Sequence, residues 1–443
     1  MIVLHRSCSR LDPLFSMTHT CTDKNTLVNF LAIMIQRIRS IYRDYPSQFW
    51  LMFIGMLIST VGSSMIWPYL MIYVSESLEA PLTLAASLMT LNSASGLVAS
   101  FLVGPIIDRF GRKWVMVMSL LVNGLTYVFL SAASGLPSFA LLMAVSGAAN
   151  PLYRMSGDAM VADLIPPERR PDAYAILRMS NNIGVALGPA IGGFLAATSY
   201  ALAFYMAAIG MCAYGVLLAF FAVETLPKLV STDASLEMRS EPLGGYLTIL
   251  RDRPFITFAF AYTLVIICAS LVWVVLPVYA KENFGIPENI YGFIPTTNAL
   301  MVVTLQVAVT QITKRFSTLP VLSVGAAIYM VAVGGMTLGS GFWGFWIFMV
   351  VMTIGELILV PTASTYAANL APADKRGRYM SIFGLSWRIA IGTGPILGGV
   401  LNDNIGPKAI WIGGGLIGLL SVMTFLIMMR RSKIREVELS EPG

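Results

Sequence analysis

Five ionisable residues interrupt stretches that are otherwise apolar: Arg154, Asp158, Arg178, Glu356 and Arg388. An unpaired charge inside hydrocarbon costs several kcal/mol, so such groups are either paired or put to use. Arg154 and Asp158 stand at i,i+4 and share one face of a helix. Counted outward from the turn near Glu168, Asp158 and Arg178 reach nearly one depth, and a bridge between them is expected. It would be either a structural network or a participant in gating and proton movement. Counted from the turn near Asp374, Glu356 and Arg388 also reach similar depths. Glu356 is the only acid in the core of the second half. A carboxyl there can load and release a proton, with Arg388 holding it charged whenever the two meet.

The elements that must position these groups follow from composition. Of 443 residues, 56% are hydrophobic and 12% charged, where soluble domains average about 25% charged. Charge-free runs such as Trp50 to Ser75, Ala80 to Ile107 and Pro254 to Ala280 reach the roughly 20 residues a helix needs to cross a bilayer. Turn residues and charges divide the chain into twelve spans near 50–75, 82–107, 114–134, 138–162, 173–197, 200–223, 255–280, 290–313, 319–340, 344–369, 378–402 and 408–429. Unbroken apolar runs exclude the short alternating strands of a barrel, and inside lipid the helix is the remaining way to satisfy the backbone. The expected fold is an all-α polytopic membrane protein with twelve transmembrane helices.

Basic residues orient it. With the amino terminus inside, 24 of the 29 Lys and Arg fall on the cytoplasmic side, and only Lys281 and Lys408 lie outside. Both termini are therefore expected in the cytoplasm and the protein in the cell's inner (plasma) membrane. The first 25 residues lack the apolar core of a secretory signal. From Leu27 to Tyr45 apolar residues recur every three or four positions, and an interfacial helix on the membrane lipids is expected there.

An internal repeat sets the domains. The segment from Ala162 lies on that from Ala368 with twelve of 34 positions identical, at an offset of 206. The same offset lays Trp67 on Trp273, Tyr73 on Tyr279 and Glu76 on Glu282. Six spans per half is an even number, so the halves run parallel and an axis along the membrane normal relates them. This gives a cytoplasmic segment 1–47, a first six-helix bundle 48–223, a linker 224–253, a second six-helix bundle 254–430 and a tail 431–443.

Two motifs stand out. Between spans 2 and 3 the chain reads Gly104-Pro-Ile-Ile-Asp108-Arg109-Phe-Gly111-Arg112-Lys113. Gly104 permits close helix approach, Gly111 a tight turn, and the basic residues face the anionic inner leaflet. This matches G-x-x-x-D-R-x-G-R-[RK], and with twelve spans and a central linker the chain resembles the major facilitator superfamily, most nearly its 12-span drug:proton antiporters. The resemblance implies that Asp108 and Arg112 latch the halves together on the cytoplasmic side while the cavity opens outward. The second-half turn, Lys314-Arg315-Phe316-Ser317, departs from the pattern and should latch weakly. In span 5, Gly184, Gly188, Pro189, Gly192 and Gly193 look like the core of the family's antiporter motif. Glycines four residues apart make a smooth stripe for close packing, with a bend at Pro189, and a similar Gly394-Pro395 set in span 11 favours architecture over coupling. Arg154 likewise resembles the embedded span-4 arginine of proton antiporters.

No histidine lies in the core and no nucleotide loop is present, so no enzymatic site, metal or cofactor is expected, and nothing calls for a nucleic-acid partner. Trp67, Asn150, Trp273 and Asn298 are candidates to line a substrate cavity. The resulting expectation is a monomeric secondary transporter that couples protons to efflux of small amphipathic or drug-like compounds by alternating access. The alternative is a proton-coupled transporter of a sugar, amino acid or other small metabolite.

Overall fold

The computed structural model describes residues 43–226, 248–372 and 375–440. The chain divides into two compact units, 1–47 and 48–443. The interfacial helix expected from Leu27 to Tyr45 lies almost wholly outside the described residues, as does most of the linker.

The second unit is helical, and among the described residues there is no strand. Its first half holds α1 (Ser47–Leu78), α2 (Leu82–Phe110), α3 (Arg112–Leu130), α4 (Leu136–Leu164), α5 (Arg170–Thr198) and α6 (Tyr200–Phe221). The second half opens with α7 (Arg253–Ser270), which continues through a π-helical turn, Leu271–Val275, into α8 (Leu276–Phe284). Then come α9 (Glu288–Tyr291), α10 (Phe293–Thr313), α11 (Thr318–Gly335), α12 (Gly341–Leu370), α13 (Arg376–Asn404) and α14 (Ala409–Ser440). Among the described residues, ten helical segments are long and apolar enough to cross a membrane, and the protein is a multi-pass membrane protein. α4 and α5 are not among the ten, and they carry Arg154, Asp158 and Arg178.

Span 7 departs from the expected continuous helix. Pro277 has no N–H to offer the carbonyl one turn back, and the backbone widens into the π-turn that contains Trp273. Span 8 is likewise split, at Gly292, and the last helix runs on to Ser440 instead of ending near 429.

Within the first half α2 packs on α4, and α3 on α4 and α6; the second half repeats this with α10 on α12 and α11 on α12 and α14. Between the halves the main contacts are α2 with α13 and α5 with α9 and α10. The glycine stripe of α5 lies on α1. A Cβ on Gly184 would stand 2.7 Å from Thr60 Cβ, one on Gly188 2.9 Å from the Ser64 carbonyl carbon, and one on Gly192 2.5 Å from Met65 Cα. The packing read from the spacing is present, and its partner is the first helix. In the second half Gly394 and Gly398 meet Ser270 and Leu271 of the span-7 helix in the same manner.

Candidate functional site

A cavity of about 680 Å³ opens among α1 to α6. Arg154, Asp158, Arg178, Asn150 and Trp67 line it, together with Met52, Met56, Met116, Met143 and Met211. Arg154, Asp158, Arg178 and Asn150 are exposed to it. Trp273, expected as a second lining residue, is instead partly buried against the core.

The expected charge pairs are exchanged for others. Asp158 and Arg178 form no ion pair. Asp158 has Arg154 in electrostatic range, and Arg178 bears on Glu356 and Tyr262 of the second half. Glu356 does not meet Arg388. Its Oε2 accepts a hydrogen bond of 2.8 Å from Asn298 Nδ2, which also donates to Thr353 Oγ1 at 2.9 Å. Asn298, expected on the cavity wall, is 4% exposed and holds Glu356. Arg388 turns to the first half. Its guanidinium lies where a Cβ of Gly96 would project, at the point where Gly96 of α2 crosses Gly147 of α4. Hairpin counting fixed depth along each helix but not direction around it, and direction decides the partner. The 206-residue offset lays Asn92 on Asn298 and Asn150 on Glu356, so the two halves present an amide and an acid at equivalent places.

At one end of the molecule the halves are pinned. Lys281 Nζ lies 2.5 Å from both Glu76 Oε1 and Glu288 Oε1. Tyr200 donates its hydroxyl to Glu288 Oε1 and accepts from Lys281 Nζ at 3.1 Å. Ser75 Oγ donates to Glu282 Oε1 at 3.2 Å. Tyr69 donates to the Glu288 carbonyl at 3.2 Å, and the backbone and hydroxyl of Thr83 both donate to Asp403 Oδ2, at 2.9 and 2.6 Å. The sequence marks Lys281 as an outside lysine and pairs Glu76 with Glu282 in the repeat, but does not bring them together as a cluster.

Toward the other end the halves part. The α2 to α13 contact runs from Thr83 and Asp403 past Thr90, whose hydroxyl donates to the Gly392 carbonyl, to Gly96 and Arg388. Beyond it, a Cβ on Gly104 of α2 or Gly384 of α13 would meet nothing within 4 Å. The close approach expected at Gly104 is not made in this structure. Arg112 is engaged within its own half. Its Nε stands 2.9 Å from Asp163 Oδ2, an ion pair without hydrogen-bond alignment. Glu224, unforeseen, accepts the backbone N–H groups of Arg112 and Lys113 at 2.9 and 3.1 Å and so caps α3. Gly111 is required at this turn. Its φ is +86°, and a Cβ would stand 2.6 Å from Glu224 Cδ. Arg109 lies over the Phe110 ring, 5.5 Å from its centroid.

The profile of the Major Facilitator Superfamily matches residues 52–270 and again 258–442. The chain belongs to this superfamily. Its members are secondary transporters rather than enzymes. An uncharacterised MFS-type transporter of Bacillus subtilis, YqjV, is 26% identical over 381 residues, 85% of this chain and 92% of that protein. A Na(+), Li(+), K(+)/H(+) antiporter of Planococcus maritimus is 26% identical over 417 residues, 87% of this chain and 96% of its own length. Among solved structures, a POT family transporter in complex with a thioalcohol-conjugated peptide superposes with a TM-score of 0.72 at 18% identity. That match covers 88% of this chain and 96% of the other. Likeness at that identity bears on the fold alone.

Proposed function

We propose that the chain is a proton-coupled secondary transporter of a small organic metabolite that works by alternating access. Glu356 is the proton carrier. The observation behind this reading is the placement of Glu356. It is a half-buried carboxyl at mid-span, held by Asn298 of its own half and within reach of the Arg178 charge from the other. Its environment therefore changes whenever the halves move, and protonation shifts a conformational equilibrium only through such a difference. The Planococcus relative, whose name pairs alkali cations with protons, supports proton coupling.

In this reading the ten apolar helical segments together with α4 and α5 are twelve spans in two six-helix bundles, 48–223 and 254–430. Both termini are cytoplasmic, the plasma membrane is the location, and the transporter works as a monomer. The Lys281 end faces outward and is closed, and the Arg112 end faces the cytoplasm and is open. Asp108 and Arg112 then act in the opposite state, when Arg112 leaves Asp163. Efflux of amphipathic compounds is the second reading. The methionine-rich wall of the cavity favours it, because flexible thioethers adapt to varied apolar shapes.

The test is uptake into proteoliposomes of a labelled panel of organic acids, amino acids, sugars and amphipathic amines, with a pH gradient imposed and then collapsed. Glu356→Gln should abolish gradient-driven accumulation while leaving downhill exchange of the same compound. Accumulation at the unaltered rate removes Glu356 as the carrier, and indifference of the parent protein to the gradient removes proton coupling.

A further inference from the structure

Two arginines and one acid line the cavity, and the second half brings one more of each, Arg388 and Glu356, within electrostatic range of them. Three guanidiniums, Arg154, Arg178 and Arg388, face two carboxylates, Asp158 and Glu356. Arg154 has Asp158 in electrostatic range and Arg178 has Glu356. For Arg388 the ionic neighbour is Arg154, of the same sign. Among the described residues, none of the three forms an ion pair within 4.0 Å.

Geometry places Arg388 on the helix that carries Arg154, about two turns away along it. A Cβ on Gly96 would stand 3.5 Å from Arg388 Cζ and 2.8 Å from the Gly147 carbonyl, so the Arg388 guanidinium rests against the crossing of α2 and α4. Gly147, Asn150 and Arg154 follow at i, i+3 and i+7, along one stripe of α4. Asn150 and Arg154 line the cavity. Arg388 of the second half therefore lands on the stripe of the first half that leads to Arg154. Gly96 makes the room for it, and Gly147, whose Cβ would meet the Asn92 backbone, lets the two helices cross this closely.

Guanidiniums that converge in a low-dielectric interior repel each other, and an anion between them turns that repulsion into two attractions. The planar fork of arginine suits a carboxylate bidentately. With Asp158 and Glu356 both ionised, the surplus is one positive charge, which a monoanion balances. The cavity that Arg154 lines also has apolar stretches, with Met116, Met143 and Trp67 among its lining residues.

We propose that Arg388 and Arg154 form the seat for the charged group of the cargo, and that the cargo is a small organic monocarboxylate with an apolar body. This deepens the proposed function and rests on it only in that the bound molecule is the one carried.

The experiment uses the full-length protein in lipid nanodiscs, with no gradient, and a matched series of probes: 3-phenylpropionate, 3-phenylpropionamide and 3-phenylpropylamine. They share one body and carry negative, zero and positive charge. Binding by calorimetry should favour the carboxylate over the amide by at least about tenfold, with the amine weakest. Arg388→Gln should bring the carboxylate to the level of the amide, and Arg388→Lys should keep the order with a smaller ratio. If Arg388→Gln fails to give folded protein, Arg154→Gln is read against Arg388→Lys in the same way. Equal binding of the three probes, preference for the amine, binding of none, or an unchanged ratio in the glutamine variant overturns the assignment. Because the measurement is at equilibrium, its outcome is independent of the accumulation assay that tests proton coupling.

Discussion

Lys281 reaches Glu76 across the two halves at 2.5 Å, and the contact has a counterpart under exchange of the halves. The repeat lays Ser75 on Lys281 and Glu76 on Glu282, and Ser75 is bonded to Glu282 at 3.2 Å. The same exchange relates two glycine contacts. A Cβ on Gly193 would meet the Glu288 carbonyl carbon at 3.0 Å, and one on Gly399 would meet Thr83 Cα at 2.6 Å, beside Leu82, the repeat equivalent of Glu288. Reciprocal contacts of this kind are what a two-fold relation between similar bundles produces.

Closure at this end depends on Lys281, which faces Glu76 at the rim and the largely buried Glu288 beneath it. Lys281→Met should destabilise the closed arrangement by about 1–2 kcal/mol, a population change of roughly 5–30-fold. Spin-label distances between the outer ends of α1 and α8 should then lengthen. An unchanged distance distribution rejects the role.

Arg178 and Glu356 should be energetically coupled, and Arg178 and Asp158 should not. A double-mutant cycle on thermal stability with Arg178→Gln and Glu356→Gln should give an interaction of about 0.5–3 kcal/mol. The corresponding cycle with Asp158→Asn should fall within its error. The reverse result restores the pairing read from hairpin depth.

Two glycines should respond oppositely to alanine. At Gly192 a Cβ meets the α1 backbone, which cannot move aside as a side chain tip does, so Gly192→Ala should cost at least about 1–3 kcal/mol and lower the yield of folded protein. Gly104→Ala should leave thermal stability unchanged in this arrangement and slow transport, because in the opposite state Gly104 must let the helices close. Full transport activity in Gly104→Ala contradicts the proposed closure.

Glu224 is the acceptor that α3 lacks within its own sequence. Glu224→Ala should cost about 1 kcal/mol, the usual worth of a helix cap, seen as a drop of a few degrees in unfolding temperature. Glu224→Gln should recover part of it. Loss of nothing in either variant assigns the cap to solvent.

The apolar runs, the repeat and the turn around Gly111 made the helices, their order and the α5 packing stripe legible in the sequence. What sequence left hidden is rotational. A helix position gives depth at 1.5 Å per residue, but whether Arg178 points to α4 or across to Glu356 depends on how α5 is turned by its glycine contacts with α1. The Lys281 cluster was hidden for another reason. Its members come from α1, α6, α8 and α9, and nothing in their spacing announces that they meet. The π-turn follows from Pro277, whose missing N–H was visible, though the choice between a bend and a widened turn depends on surrounding packing.

The glycine contacts carry a mechanical consequence. With Gly192 seated on the Met65 backbone and Gly394 on Ser270, neither α5 against α1 nor α13 against the span-7 helix has room to slide. Each pair behaves as a single stiff lever. Under the proposed alternating access, the place about which these levers would turn is the crossing where Arg388 rests on Gly96, midway along α2 and α13. A fulcrum so placed makes opening at one end and closing at the other the same movement, with the like charges of Arg154 and Arg388 held close to the pivot, where displacement is smallest.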